Sequence, residues 1–260
     1  MATPEWNSID NYTMDEKDYY CAFLDILGYK EKSEMYFGGM YNLHGRFKRA
    51  LTQSLSIIEI SSILINVNDL DVKFFSDSVI ISLPKEDSNR DSLFGMLFFC
   101  RVLSAHLSYE GLYLRGGLSF GPHMDEIDEE YGFSFLSSIA LQKAYILESK
   151  KAIYPRILID PSVVPLLTRD AQTLIAKDHD EYFIHFSPQL INLNGENADI
   201  VLLEMEDIYK LRMELKEQKV IDKYTWILDY YYWTLTQSKN IDIEKFSKFE
   251  TTKFKSFSSY

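Results

Sequence analysis

Cysteine is scarce in this chain of 260 residues: only Cys21 and Cys100, each inside an apolar segment and neither in a CxxC pair or a zinc-like spacing. That excludes a disulfide-stapled scaffold and a structural zinc module, and leads to the expectation of reduced thiols in a cytoplasmic protein. Basic residues are outnumbered as well, with 27 Lys and Arg against 39 Asp and Glu and a formal charge of −12. Such a balance argues against a partner gripped through nucleic-acid phosphates. Long apolar runs are missing too. Leu55 to Ile65 is interrupted by Glu59, and Leu93 to Cys100 is closed by Arg101 far short of a bilayer span, so no membrane partner is expected. The start carries Glu5 and Asp10 in place of the basic and apolar regions of a signal peptide. No internal repeat, low-complexity block or linker stands out. The five histidines, His44, His106, His123, His179 and His185, lack metal-ligand spacing.

What is present is a 46% apolar composition, ample for a packed core, and two aspartates in similar settings. Tyr19 to Ile26 reads as a strand delivering Asp25 at its end, with Gly28 three residues later. Asp71 to Ser82 reads as two short strands around a Ser76-Asp77-Ser78 turn. A carboxylate at a buried strand end is costly unless a cation or donors meet it. Two of them can share a pair of Mg²⁺ or Mn²⁺ ions, and a phosphate ligand approaching so acidic a chain needs such ions to offset repulsion. Gly28 permits a tight turn, and the backbone N–H groups of the helix start that follows favour anions. The plainer alternative is that Asp25 caps that helix and Asp77 is an ordinary turn residue.

The rest of the chain fits around these segments. Residues 1–17 mix polar and acidic types without periodicity and are expected to form a loose arm. A helix is expected from Asn42 to Ile65, and a capping box at Ser88-Asn89-Arg90-Asp91 opens another that stops near Gly111. Leu112 to Phe120 reads as a strand whose Gly116-Gly117 pair marks close approach of another backbone or a ligand. Pro122 to Gly132 reads as an acidic loop, Phe135 to Lys150 as a helix, and Arg156 to Asp160 as a strand. The order is that of an α+β protein, a ferredoxin-like split βαβ core with an antiparallel sheet and helices on one face, over residues 18–161. Residues 162–260 are expected to be a mostly helical extension packed on the core. Within it Tyr182 to Phe186 is expected as an edge strand, Ile208 to Thr236 as helix, and the tail from Lys239 as loose.

Phe23-Leu24-Asp25-Ile26-Leu27-Gly28-Tyr29 resembles the first metal-binding motif of class III nucleotide cyclases, and Val72-Lys73-Phe74-Phe75-Ser76-Asp77 resembles their second, which usually has Gly before the aspartate. Leu114 to Gly121 resembles the strand that follows. The variant is most similar to the pyrimidine nucleotide cyclases of bacterial Pycsar anti-phage systems. The resemblance covers the chain to about residue 160. It implies a metal-dependent lyase that turns UTP into 3′,5′-cyclic UMP and pyrophosphate, with CTP, a purine triphosphate or a catalytically idle nucleotide-sensing module as alternatives. It also implies a head-to-tail homodimer with sites at the subunit interface. Carried over, Asp25 and Asp77 bind two Mn²⁺ or Mg²⁺ ions with help from the Ile26 carbonyl, while Gly28 and Tyr29 line the substrate. Lys73 and Phe135 occupy base-reading positions, an aromatic at 135 favouring a smaller base. Gln142 stands where the family keeps a ribose-orienting asparagine. Ile146 stands where the family keeps its transition-state arginine and cannot stabilise phosphate charge. Lys143, Lys150 and Arg115 are candidate substitutes, although Arg115 also fits a structural role in its strand.

Overall fold

A computed structural model describes residues 17–61, 65–86, 91–127, 130–132, 134–187, 198–238, 241–249, 254 and 256–260. The expected arm at 1–16 and the capping residues Ser88 to Arg90 lie outside the described residues.

The first strand, β1 (Lys17–Ile26), alternates. Ala22, Leu24 and Ile26 point to one face, while Cys21, Phe23 and Asp25 point to the other, as a period of two requires. β1 pairs antiparallel with β3 (Ser78–Pro84) on one side and β4 (Leu114–Ile127) on the other, and β3 forms a hairpin with β2 (Asp71–Phe75). The order β2-β3-β1-β4 is that of a ferredoxin-like split βαβ unit, and the protein is α+β as expected. Between β1 and β2 run α1 (Tyr29–Phe37) and α2 (Leu43–Ile60); α3 (Ser92–Tyr109) joins β3 to β4.

Helices α2 and α3 cover the Ala22, Leu24 and Ile26 face. Ile58, Met96, Leu97 and Leu103 meet Leu24, Val79 and Ile81 there, all essentially without exposure. Each such side chain contributes about 1.5–3 kcal/mol when fully buried. By length and composition α3 could cross a membrane, but most of it is buried inside this fold. Its N-cap is Asp91, whose carboxylate accepts from Phe94 N at 2.9 Å.

α4 (Ile139–Lys150) adds a layer on the opposite face, which the sequence had not suggested. Its Tyr145 ring meets Phe23 edge-on at 5.2 Å. The glycine pair makes this possible: a Cβ on Gly117 would lie 2.5 Å from the Ala144 carbonyl oxygen, and one on Gly116 would strike the Phe23 carbonyl. The expected close approach is therefore found on both sides of β4.

Two local expectations need correction. Pro122 to Ile127 is strand, not loop: β4 continues past the end of β1 and pairs with β5 (Ser134–Ser138). Phe135 consequently lies in β5, and α4 begins only after Ser138, whose hydroxyl accepts from Leu141 N at 2.9 Å. Asp125 and Glu126, which resembled part of a solvated loop, lie on this β4–β5 ladder beyond the main sheet, where charge and strand are compatible; residues 128–129 and 133 lie outside the described residues.

The sheet does not stop with the core. β6 (Ile157–Ile159) runs parallel to β4 and is followed by α5 (Arg169–Gln172), β7 (Ile175–Asp178) and β8 (Glu181–Ile184). β8 lies between β6 and β7 and is internal, while the edge is formed by β9 (Phe257–Ser259), part of the tail expected to be loose. A buried anchor explains this edge. Asp178 accepts from Arg156 Nη1 at 2.6 Å, Trp226 Nε1 at 2.9 Å and Ser256 Oγ at 2.5 Å. Two helices, α6 (Ala198–Glu214) and α7 (Gln218–Thr236), replace the single expected helix and bury Met205, Trp226, Tyr230 and Tyr231 with Phe183.

Candidate active site

Asp25 and Asp77 arrive on neighbouring strand ends. Asp25 sits opposite Ser78 in the β1 and β3 ladder, and the Asp77 carbonyl accepts from Ile26 N at 3.0 Å. The two-residue hairpin that carries Asp77 needs a positive φ, which Ser76 supplies at 53°. Asp77 is exposed; Asp25 is half-buried. Burial pushes the Asp25 carboxyl above its ordinary value and the Asp77 charge pushes it the same way, while Arg115 opposes both.

Arg115, directly across from Asp25 on β4, donates from Nε to Asp25 Oδ2 at 2.6 Å. Its Nη2 lies 2.8 Å from Glu148 Oε1 on α4, and its Nη1 donates to the Ala152 carbonyl at 3.4 Å. One guanidinium thus bridges two carboxylates. Glu148 also rises above its usual range, mainly through burial. Of the expected substitutes for the missing arginine, Arg115 alone is seen to touch Asp25. Lys143 donates to the Phe120 carbonyl at 3.3 Å.

After β1 the chain turns through Gly28 in the left-handed region at φ 70°, and Tyr29 opens α1. The Lys32 ammonium folds back to within 3.5 Å of where a Gly28 side chain would begin. Lys73 shares the sheet face of Asp25 by strand alternation, two strands across and level with Phe23, roughly 12 Å from Asp25 by strand spacing. Its ammonium is held by Asp71 at 2.7 Å and by Asp125 of β4.

Phe135 is not brought to Asp25 within one chain. It pairs with Glu126 on the stretch of β4 that pairs with β5, beyond the register shared with β1, and is 62% exposed. Gln142 and Ile146 lie on the exposed face of α4. Ile139, Tyr145 and Ile146 of α4 and Phe135 of β5 are each large apolar residues left exposed.

Glu148, Lys32 and Asp125 were not singled out in the sequence. Glu148 had a visible signal: it follows Ala140, Ala144 and Leu147 on the buried stripe of α4, where a lone carboxylate needs a partner.

For a divalent cation, the donors at hand are the carboxylates of Asp25 and Asp77 and the backbone oxygen of Ile26. Among the described residues no cluster of three or more His, Cys, Asp or Glu side chains converges. An all-oxygen pair with two carboxylates raising each other's cost suits Mg²⁺ or Mn²⁺, with water and phosphate oxygens filling the shell.

No family model matches the sequence, and no curated protein matches it. Among solved structures the chain is similar to the adenylyl cyclase CyaB from P. aeruginosa, at 15% identity over 65% of this chain and 94% of that one, with a TM-score of 0.44. It is also similar to the guanylate cyclase domain of RhGC from Catenaria anguillulae in complex with GTP, at 12% identity over 65% and 96% of the two chains and a TM-score of 0.46. A bacterial light-regulated adenylyl cyclase gives 17% identity over 66% of this chain and 53% of that one, with a TM-score of 0.48. These are likenesses of outline; strand order and register carry the fold described above.

Proposed function

We propose that this chain is a nucleotide cyclase that converts UTP to 3′,5′-cyclic UMP and pyrophosphate, as a cytoplasmic second-messenger synthase in anti-phage defence. The observation that supports it is the pairing of Asp25 with Asp77 on adjacent strand ends, beside a Gly28 turn and a helix start. The defence setting and the pyrimidine preference rest on the motif variant and on Phe135.

In the reaction the ribose 3′-oxygen attacks the α-phosphorus, the bond to pyrophosphate breaks, and the hydroxyl proton leaves to solvent. When bound, two divalent ions held by Asp25, Asp77 and the Ile26 carbonyl lower the pKa of that hydroxyl and offset phosphate charge. The Gly28 turn and the first N–H groups of α1 receive phosphate oxygens. Tyr29 flanks them, and Gln142 orients the ribose. Two chains pair head to tail so that Lys73 and Phe135 of one meet the base held by the other. The exposure of Phe135 on the β4–β5 hairpin, with the exposed Ile139, Tyr145 and Ile146 of α4, supports this arrangement.

A purine substrate is the second reading, favoured by Lys73 and Asp125 together, a donor beside an acceptor that also fits a purine edge. Purified protein with Mn²⁺ and each of ATP, GTP, UTP and CTP tests both. Cyclic UMP as the main product supports the first reading, a cyclic purine supports the second, and no cyclic product from any of the four refutes the enzyme.

A further inference from the structure

A cavity of about 410 Å³ opens where α6 and α7 meet the end of α3, and neither Asp25, Asp77 nor Arg115 lines it. Its volume falls in the range of small-molecule sites, roughly 300–1,000 Å³. Much of its lining is one stripe of α6: Ile200, Leu203, Glu204, Asp207, Ile208 and Leu211 recur at spacings of three and four. The helix buries Val201 and Met205 in the C-terminal core, yet Ile200 is left 48% exposed, Leu203 62% and Leu211 41%. Tyr113 and Tyr224, whose rings meet edge-on at 6.3 Å, also line the cavity. Such a concave apolar and aromatic lining suits a ligand with an apolar body.

The charges in the lining give that ligand a sign. Glu110 is held by Arg46 at 3.3 Å, and Asp207 lies 3.4 Å from Lys210. Lys32 has an acid of its own close by, since its ammonium and the Glu31 carboxylate lie 3.5 and 3.8 Å from one point at Gly28. Glu204 differs from these. Its Oε1 accepts from the Tyr113 and Tyr231 hydroxyls, but its Oε2 is buried and has no hydrogen-bond partner among the described residues. The nearby Ser108 hydroxyl gives its proton to the Ala105 carbonyl. No cation of the described chain pairs with this carboxylate, and a buried carboxylate gains most from a charged donor that arrives with its own apolar cover.

We propose that this cavity binds a small cationic amphiphile, an aromatic or aliphatic body carrying a primary amine, whose ammonium pairs with Glu204. The site is separate from the carboxylate pair of Asp25 and Asp77, and the proposal does not depend on the cyclase reading.

Tryptamine, titrated calorimetrically into the full chain at pH 8, is the probe, and indole-3-propionate, with a similar ring and the opposite charge, is its control. At that pH the Glu204 carboxyl stands above the value of about 7 that burial gives it. Saturable tryptamine binding at least tenfold tighter than that of indole-3-propionate is expected. Glu204→Gln, which keeps an acceptor for both tyrosines, should weaken tryptamine about tenfold, the worth of one charge-assisted contact. Leu203→Arg reads the same cavity from an exposed position and should abolish binding without lowering the melting temperature. No saturable tryptamine binding, equal binding of the two probes, or unchanged affinity in a natively melting Glu204→Gln would each overturn the proposal.

Discussion

Arg115 reaches across from β4 to hold Asp25 at 2.6 Å, so the carboxylate placed to bind a cation is already engaged by an internal one. The same guanidinium holds Glu148, and both carboxylates are largely shielded from water. Removing it leaves two neighbouring acids without the guanidinium that both of them contact. Arg115→Ala should lower stability by about 2–3 kcal/mol, below the usual cost of breaking a fully buried pair because some solvent reaches Arg115. The check is urea denaturation near pH 7, and a loss under 0.5 kcal/mol would contradict the pairing.

Glu204 of α6 gives a pH dependence with a definite sign. Its Oε1 accepts from Tyr113 Oη at 3.0 Å and Tyr231 Oη at 2.8 Å, and burial lifts its carboxyl from 4.5 to about 7. Ser108 lies nearby, but its hydroxyl proton goes to the Ala105 carbonyl at 2.8 Å. A group whose folded value is raised binds its proton more tightly when folded. Its stabilisation is therefore complete at low pH and is lost as pH climbs from about 4.5 through about 7, by roughly 3 kcal/mol. Glu204→Gln should melt higher than the parent at pH 8 and lose that advantage below pH 5. A difference that does not vary with pH would refute the assignment.

Gly117→Ala should be costly although it adds one methyl group. The new carbon would lie 2.5 Å from both the Ala144 carbonyl oxygen and Leu147 Cβ, so α4 must lift from the sheet. A loss of about 2–3 kcal/mol is expected from overpacking of this kind, read by thermal melting. Because Glu148 rides on α4, the same variant should also weaken the hold on Arg115.

Sites shared between subunits make a further expectation. Asp25→Asn and Lys73→Ala chains, each inactive alone, should recover about a quarter of parental activity when mixed equally. Half of the dimers are then mixed, each with one intact site of two, as a two-fold interface dictates. No recovery would mean self-contained sites.

Much of this was legible because the signals were local. The strand ending in Asp25, the Gly28 turn and the Ser76-Asp77 hairpin each lie within a few residues, and Gly116-Gly117 announced a close approach. The continuation of β4 past Pro122 was not legible, since its acidic residues have the composition of a loop while their backbone pairs with β5. The placement of Phe135 failed for the same reason: the helical spacing after it was real, but the helix waits for its cap at Ser138. The Asp25, Arg115 and Glu148 bridge depends on cross-strand register and on the face chosen by α4, neither of which sequence spacing specifies. β9 was missed because only the buried anchor on Asp178 makes that stretch a strand.

The central claim is that Asp25 and Asp77 together hold divalent cations beside a triphosphate. The most direct measurement is Mn²⁺ titration by electron paramagnetic resonance with UTP present, on the parent chain and on Asp25→Asn and Asp77→Asn. The expected result is two bound Mn²⁺ per site in the parent and a clear loss of bound metal in each variant. Identical Mn²⁺ binding in all three proteins would contradict it.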